Sequence, residues 1–264
     1  IKNEDIAMIK LLLKNGANPY LTSQNIKSPF DFAINLKNPK PIIEIIIENY
    51  GLQGIDQKIN YLGQYSYLSD LIQNKKNEIA KFIIDKGVRI NPIKIYGLTN
   101  DKTPIYSDSP LYIAIQSKNY EMVKYLIKKG ANINAIFSVE DEDCISCSEN
   151  ITVMHTIVYE DVISKDIVNY LLKFEPNLNI SNSKGFTALD NVCMNGNIEL
   201  ANLLIKNGAK IESKNRSALD AAIIYSNYKM AMYLLNQGAN PNFKYENGNT
   251  PFLGVYGIFG NGFV

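Results

Sequence analysis

The 264-residue chain has no tryptophan, one histidine and three cysteines. A catalytic or metal-binding histidine needs partners at workable spacing, and none stands near His155. Neither sign of charge is in excess: 27 Lys and Arg against 26 Asp and Glu leave +1, so nothing in bulk attracts nucleic acid or an anionic membrane. No apolar run reaches the ~18 residues that a bilayer span requires. An odd number of cysteines without a secretory leader points to a reducing compartment, and an intracellular, cytoplasmic location is expected. Heavy use of Asn, Ile, Lys and Tyr is read as codon bias rather than chemistry. No paired carboxylates, nucleophile–base arrangement or metal cluster emerges, so no catalytic residue, cofactor or metal is expected.

What is present is one kind of stretch, used repeatedly. In Ser109 to Ala135, SPLYIAIQSKNYEMVKYLIKKGANINA, Ser109 can cap a helix and Pro110 sits where no N–H is needed. Leu111, Ala114 and Ile115 share one face, and the small Ala114 allows a neighbouring helix to approach. After the polar break Ser117-Lys118-Asn119 comes a second stripe, Met122, Val123, Leu126 and Ile127. Lys128 and Lys129 suit the end of the helix dipole, and Gly130 supplies a left-handed terminator. The unit is a helix–turn–helix followed by an extended finger. Neither helix can bury its stripe alone, so such units must stack.

The cap recurs at Ser28-Pro29-Phe30, Ser66-Tyr67-Leu68, Thr152-Val153-Met154, Thr187-Ala188-Leu189, Ser217-Ala218-Leu219 and Thr250-Pro251-Phe252. The terminator recurs at Gly16-Ala17-Asn18, Gly87-Val88-Arg89, Gly208-Ala209-Lys210 and Gly238-Ala239-Asn240. The spacing, roughly 30–45 residues, is that of a solenoid. On these residues the chain resembles the ankyrin repeat family, whose pattern is T-P-L-H-x-A-A, then V-x-x-L-L, then G-A. The resemblance implies an all-α solenoid of stacked helix–turn–helix units with finger loops and partial repeats at both ends.

A single array over 1–264 is expected, with units near 1–20, 21–54, 55–100, 101–135, 151–180, 181–213, 214–243 and 244–264 and an insert at 136–150. Helix pairs are predicted near 28–50, 66–86, 109–129, 152–174, 187–207 and 217–237. The chain opens at Ile1 inside a second helix, with Ile6, Ile9, Leu12 and Leu13 as its stripe, so it is expected to be a piece of a longer protein. Ile6, Ile9, Leu13 and Phe252 are expected to leave apolar surface at the two ends. Leu71 stands where a small residue is usual, which predicts looser packing or a shifted helix. The insert Phe137 to Asn150 carries Glu140, Asp141, Glu142, Asp143 and Glu149, and is expected to add little to a core. It is expected to lie loosely over the basic residues Lys184, Lys210, Lys214 and Arg216 or to reach out to a basic partner.

Three motifs are set aside. Cys144-Ile145-Ser146-Cys147 lacks the further ligands of a zinc site and the helix start of a redox motif. Gly254, Gly257, Gly260 and Gly262 lack the Lys-Ser/Thr of a phosphate loop. The sequons at Asn150, Asn179 and Asn215 are expected by chance in an Asn-rich chain. His155 falls on the family's histidine, which implies a structural, hydrogen-bonding role that the polar Asp31, Ser69, Tyr112, Asp190 and Asp220 would share.

The function implied is non-catalytic protein–protein recognition through finger tips and the concave side of the first helices, with another protein as partner. Transferred by position, the surface is Ile105, Tyr106, Asp108, Gln116 and Ser117, then Ser183, Lys184, Phe186, Met194 and Asn195. It continues with Lys214, Arg216, Ile224 and Tyr225, and with Glu246, Asn247 and Asn249. Aromatic and Arg anchors dominate such surfaces, which singles out Tyr106, Phe186, Arg216 and Tyr225. Two alternatives stand beside this: a recruiting or regulatory domain of an enzyme whose catalytic part lies elsewhere, and a spacer without a partner.

Overall fold

The computed structural model describes residues 6–21, 28–56, 66–92, 94–95, 105–106, 109–140, 148–156, 165–213, 216–246 and 248–251. They fall into two compact units, one within 1–93 and 107–131, the other within 94–106 and 132–264.

The first unit holds α1 (Ile6–Lys14), α2 (Pro29–Ala33), α3 (Lys40–Tyr50), α4 (Gln53–Asp56), α5 (Tyr67–Gln73), α6 (Asn77–Asp85), α7 (Pro110–Gln116) and α8 (Tyr120–Lys128). The second holds two antiparallel hairpins, β1 (Lys94–Ile95) with β2 (Ile105–Tyr106) and β3 (Phe137–Glu140) with β4 (Ser148–Ile151). Its helices are α9 (Val153–Thr156), α10 (Lys165–Leu172), α11 (Ala188–Asn195), α12 (Ile198–Lys206), α13 (Ala218–Ile224) and α14 (Tyr228–Asn236). Every helix pair predicted from the caps is present, and the fold is all-α with small hairpins added.

The caps form as the sequence requires. Ser28, Ser66, Ser109, Thr187 and Ser217 accept from the backbone N–H three residues on, at Asp31, Ser69, Tyr112, Asp190 and Asp220. At Ser28 and Thr187 the aspartate answers by accepting the cap's own N–H, at 2.9 and 2.7 Å. This reciprocal box satisfies two helix-start donors at once. The second helices end on Gly16, Gly87, Gly130, Gly208 and Gly238, all with φ between 85 and 97°. After α10 the same place is taken by Glu175 at φ 48°, a conformation that strains any residue with a Cβ.

Alanines at the seams are fully buried, Ala33 and Ala114 in the first unit and Ala222 in the second. The first unit also carries an aromatic cluster. Phe30 meets Tyr67 edge-on at 4.7 Å and Tyr20 at 5.2 Å. Tyr20 lies so close to Gly54 that a Cβ there would sit 2.0 Å from its ring.

Three expectations need correction. In α1 Leu13 is buried, not left as end surface, while Leu12 is 52% exposed, the helix packing on α3. Leu71 is 1% exposed, as tightly enclosed as its neighbour Ile72, so the larger side chain is absorbed into the core. The insert is no bare acidic loop at its base: Phe137 pairs with Ile151 across the hairpin, and both are buried. Phe252 and the Cys144–Cys147 pair lie outside the described residues.

Candidate functional site

The fingers of the second unit are held side by side by hydrogen bonds. β2 lies against the β3–β4 hairpin. β4 joins the next finger twice, Asn150 N–H donating to Ser183 Oγ at 3.1 Å and Ser183 N–H to the Asn150 carbonyl at 3.2 Å. That finger is a turn stapled by Asn182, whose Oδ1 accepts from Lys184 N–H at 3.0 Å and Phe186 N–H at 2.8 Å. An Asn side chain that receives its own downstream backbone N–H fixes a turn without a helix or sheet to support it. The following finger closes through Ser213 N–H to the Arg216 carbonyl at 2.8 Å, and the last through Tyr245 N–H to the Asn249 carbonyl at 3.0 Å.

The fingers also grip the helices beneath them. His155 Nδ1 accepts from Thr152 N–H at 3.1 Å, so its other nitrogen must carry the proton, and Nε2 donates to the Phe186 carbonyl at 3.1 Å. One imidazole thus completes its own cap and anchors the next finger. Burial holds it below the usual histidine range, which keeps the ring neutral and this pattern intact. Tyr245 does similar work from its finger, with its hydroxyl 3.1 Å from Ser217 Oγ. Tyr67 is the counterpart in the first unit, 2.9 Å from Ser28 Oγ.

Charge on this row is arranged in two places. Lys184 Nζ lies 3.6 Å from Glu149, a β4 carboxylate that Asn182 also contacts. The Arg216 guanidinium stands over the Phe186 ring, 4.1 Å from its centroid. Burial pushes the Asp190 and Asp220 carboxyls up, against their hydrogen bonds and the charge of Arg216, which pull them down. Burial likewise raises the Cys193 thiol well above its ordinary range, leaving it inert. Among the described residues no group of three or more His, Cys, Asp or Glu could hold a metal ion, and no helix is long and apolar enough to cross a membrane.

The surface expected from the sequence has residues in both units. Ser183, Lys184, Asn195, Tyr225, Glu246 and Asn249 are exposed, and Phe186, Met194, Arg216 and Ile224 half-buried, all in the second unit. β2 carries Ile105 and Tyr106 in register with Ile95 and Lys94. Gln116 is exposed and Ser117 half-buried at the end of α7, in the first unit, where the Ser117 hydroxyl donates to the Ile113 carbonyl at 2.7 Å. Asp108, Lys214 and Asn247 lie outside the described residues. Phe186 and Arg216, which the sequence named as anchors without foreseeing that they meet, come into contact.

Other important residues escaped the sequence reading. Asn182 belongs to the row itself, whereas Glu149, one of the insert carboxylates expected over the basic residues, does lie against Lys184. Asn119 and Asn227 sit between paired helices and reach the preceding repeat, Asn119 Nδ2 to the Ile72 carbonyl and Asn227 Nδ2 to the Cys193 carbonyl, each at 3.1 Å. The residues before them, Lys118 and Ser226, are left-handed at φ 52 and 58°. The recurrence of Asn119, Asn197 and Asn227 before α8, α12 and α14 was the signal available.

Helix pairs capped alike, stacked through small residues and joined by parallel fingers define a helical repeat protein. A family model described as ankyrin repeats in three copies matches residues 71–137 and 154–245. The chain belongs to the ankyrin repeat family, whose members are in general protein–protein interaction modules. No curated protein matches it.

Proposed function

We propose that residues 1–264 act as a non-catalytic recognition module that binds a partner protein through finger tips and the exposed side of the first helices. The observation that carries this is the finger row of the second unit. Its turns are fixed by their own hydrogen bonds, so side chains such as Ser183, Lys184 and Arg216 are presented without further ordering on binding. Preorganisation of this kind lowers the entropic cost of association. Tyr225, 57% exposed at the end of α13, adds an aromatic anchor.

A photo-crosslinking residue placed at Ser183 or Tyr225 tests the reading against one at Lys173 or Lys229, exposed positions on the second-helix side. Crosslinks to a discrete protein from the first pair, competed by excess unlabelled chain, are the expected result. Equal crosslinking from both pairs, or none that competes, would remove the assignment.

A further inference from the structure

We propose that the finger row of the second unit takes an acidic, extended segment of its partner, with Arg216 receiving a carboxylate. This rests on the protein-binding reading above and adds the partner's chemistry. Arg216 is placed by Phe186, whose ring occupies one face of the guanidinium at 4.1 Å. A stacked guanidinium keeps its N–H donors at the edge, in the plane, where they suit a carboxylate. Arg216 has no ion pair among the described residues. The two aspartates whose charge it feels have other partners, Asp190 the Thr187 N–H and hydroxyl and Asp220, through one oxygen, the Tyr245 hydroxyl.

The row also shows how such a segment can sit. β4 is an extended strand whose backbone is bonded to the finger at Ser183, and its Glu149 is received by Lys184 at 3.6 Å and by Asn182. The chain therefore already lays one carboxylate-bearing strand on this finger, at the Lys184 end. Arg216, reached from the same turn through Phe186, is placed to take an outside carboxylate. A net charge of +1 supplies no long-range field for a polyanion, which favours a short acidic peptide over a nucleic acid.

The test measures fluorescence anisotropy of the full chain with labelled dodecapeptides of alternating Glu and Thr, Gln and Thr, and Lys and Thr. The Glu peptide is expected to bind at least ~tenfold more tightly than the Gln peptide and to weaken as salt is raised. Arg216→Gln and Lys184→Gln should each lose about threefold or more in affinity for it, with unchanged circular dichroism. Glu149→Gln should instead tighten it by about two- to fivefold by removing a competing negative charge beside Lys184, a gain that a damaged fold would not produce. Equal binding of the Glu and Gln peptides would overturn the proposal, as would Glu149→Gln or Arg216→Gln without effect. Preference for the Lys peptide would overturn the acidic assignment while leaving protein recognition standing. Oligouridine bound in an Arg216-dependent way, with the peptides ignored, would overturn it in favour of nucleic acid. Loss of competed crosslinks at Ser183 and Tyr225 is the separate sign that protein recognition itself has failed.

Discussion

The two units use the same repeat but build its interior from different materials. The first is apolar where its repeats meet: Phe30, Leu68, Leu71, Leu111, Ile113 and Ala114 are all buried, and polar groups there serve mainly as caps. Its register is reinforced on the second helices by charge pairs, Lys86 with Glu44 at 2.5 Å, Lys129 with Asp85 at 2.6 Å, and Lys81 with Glu121. The second unit buries His155, Thr156, Asn182, Asp190, Asn191 and Asp220. Among the described residues the Asn191 amide has no hydrogen-bond partner on either atom, and neither has one oxygen of Asp220. Buried polar groups left unpaired destabilise a fold, and such groups gather where something other than stability is at stake. The unit with the ordered finger row is also the one with these costs.

Substitutions can sharpen or break this contrast, from the largest expected effect downward. Phe30→Ala removes the centre of the aromatic cluster in the first unit and should cost about 3–5 kcal/mol in urea unfolding. A cost under ~1 kcal/mol would mean that the first unit does not depend on its apolar interior. His155→Ala should cost about 1–3 kcal/mol near neutral pH, because it strands the Thr152 N–H and the Phe186 carbonyl.

The histidine also sets a pH dependence. Since burial depresses its pKa in the fold, the unfolded chain takes up the proton first. Its contribution is therefore full above the unfolded value, about 6.5, and is lost as pH falls through the lower folded value. Asp190 and Asp220 run the other way, since burial raises them: what they add is present below an unfolded value of about 3.9 and is lost as pH rises through their folded values. Stability measured from pH 8 to pH 4 should lose its histidine-linked decline in His155→Ala. An unchanged profile would show that His155 titrates alike in both states.

Asn191→Leu replaces an unpaired buried amide by an apolar group of similar size and should raise stability by about 1–2 kcal/mol. A loss instead would mean that the amide has a partner in solution, such as an ordered water. Glu175→Gly should raise stability by roughly 0.5–1 kcal/mol, since glycine takes the left-handed conformation without the Cβ clash but loses more backbone freedom on folding. The control Gly130→Ala, in the first unit at φ 90°, should move the other way.

Much of the fold was legible because its signals are local. Ser28, Ser66, Ser109, Thr187 and Ser217 cap helices through bonds that span three residues, so the cap and its target lie in one short window of sequence. The stripes of α6 and α8 are likewise set by helical period, and Ile83 and Leu126 are buried as that period predicts. His155 could be given its structural role because the family's pattern surrounds it. The acidic insert was misjudged at its base because Phe137 becomes part of a core only when Ile151, fourteen residues away, is brought opposite it. α1 shows the same limit: its stripe told which residues are apolar but not that Leu13 would be buried and Leu12 exposed.

The candidate surface divides in the same way. By itself the sequence determined that there is a repeating helix pair, where each begins and ends, and which positions lie in fingers, since all of these follow from caps, period and terminators close along the chain. Only the tertiary structure decided that Arg216 lies over Phe186, that Glu149 is an insert carboxylate in contact with Lys184, and that Asn119 and Asn227 hold the carbonyls of the preceding repeats. Those contacts join residues thirty to fifty positions apart. Their geometry depends on how one repeat is stacked on the next, which no local preference of the backbone contains.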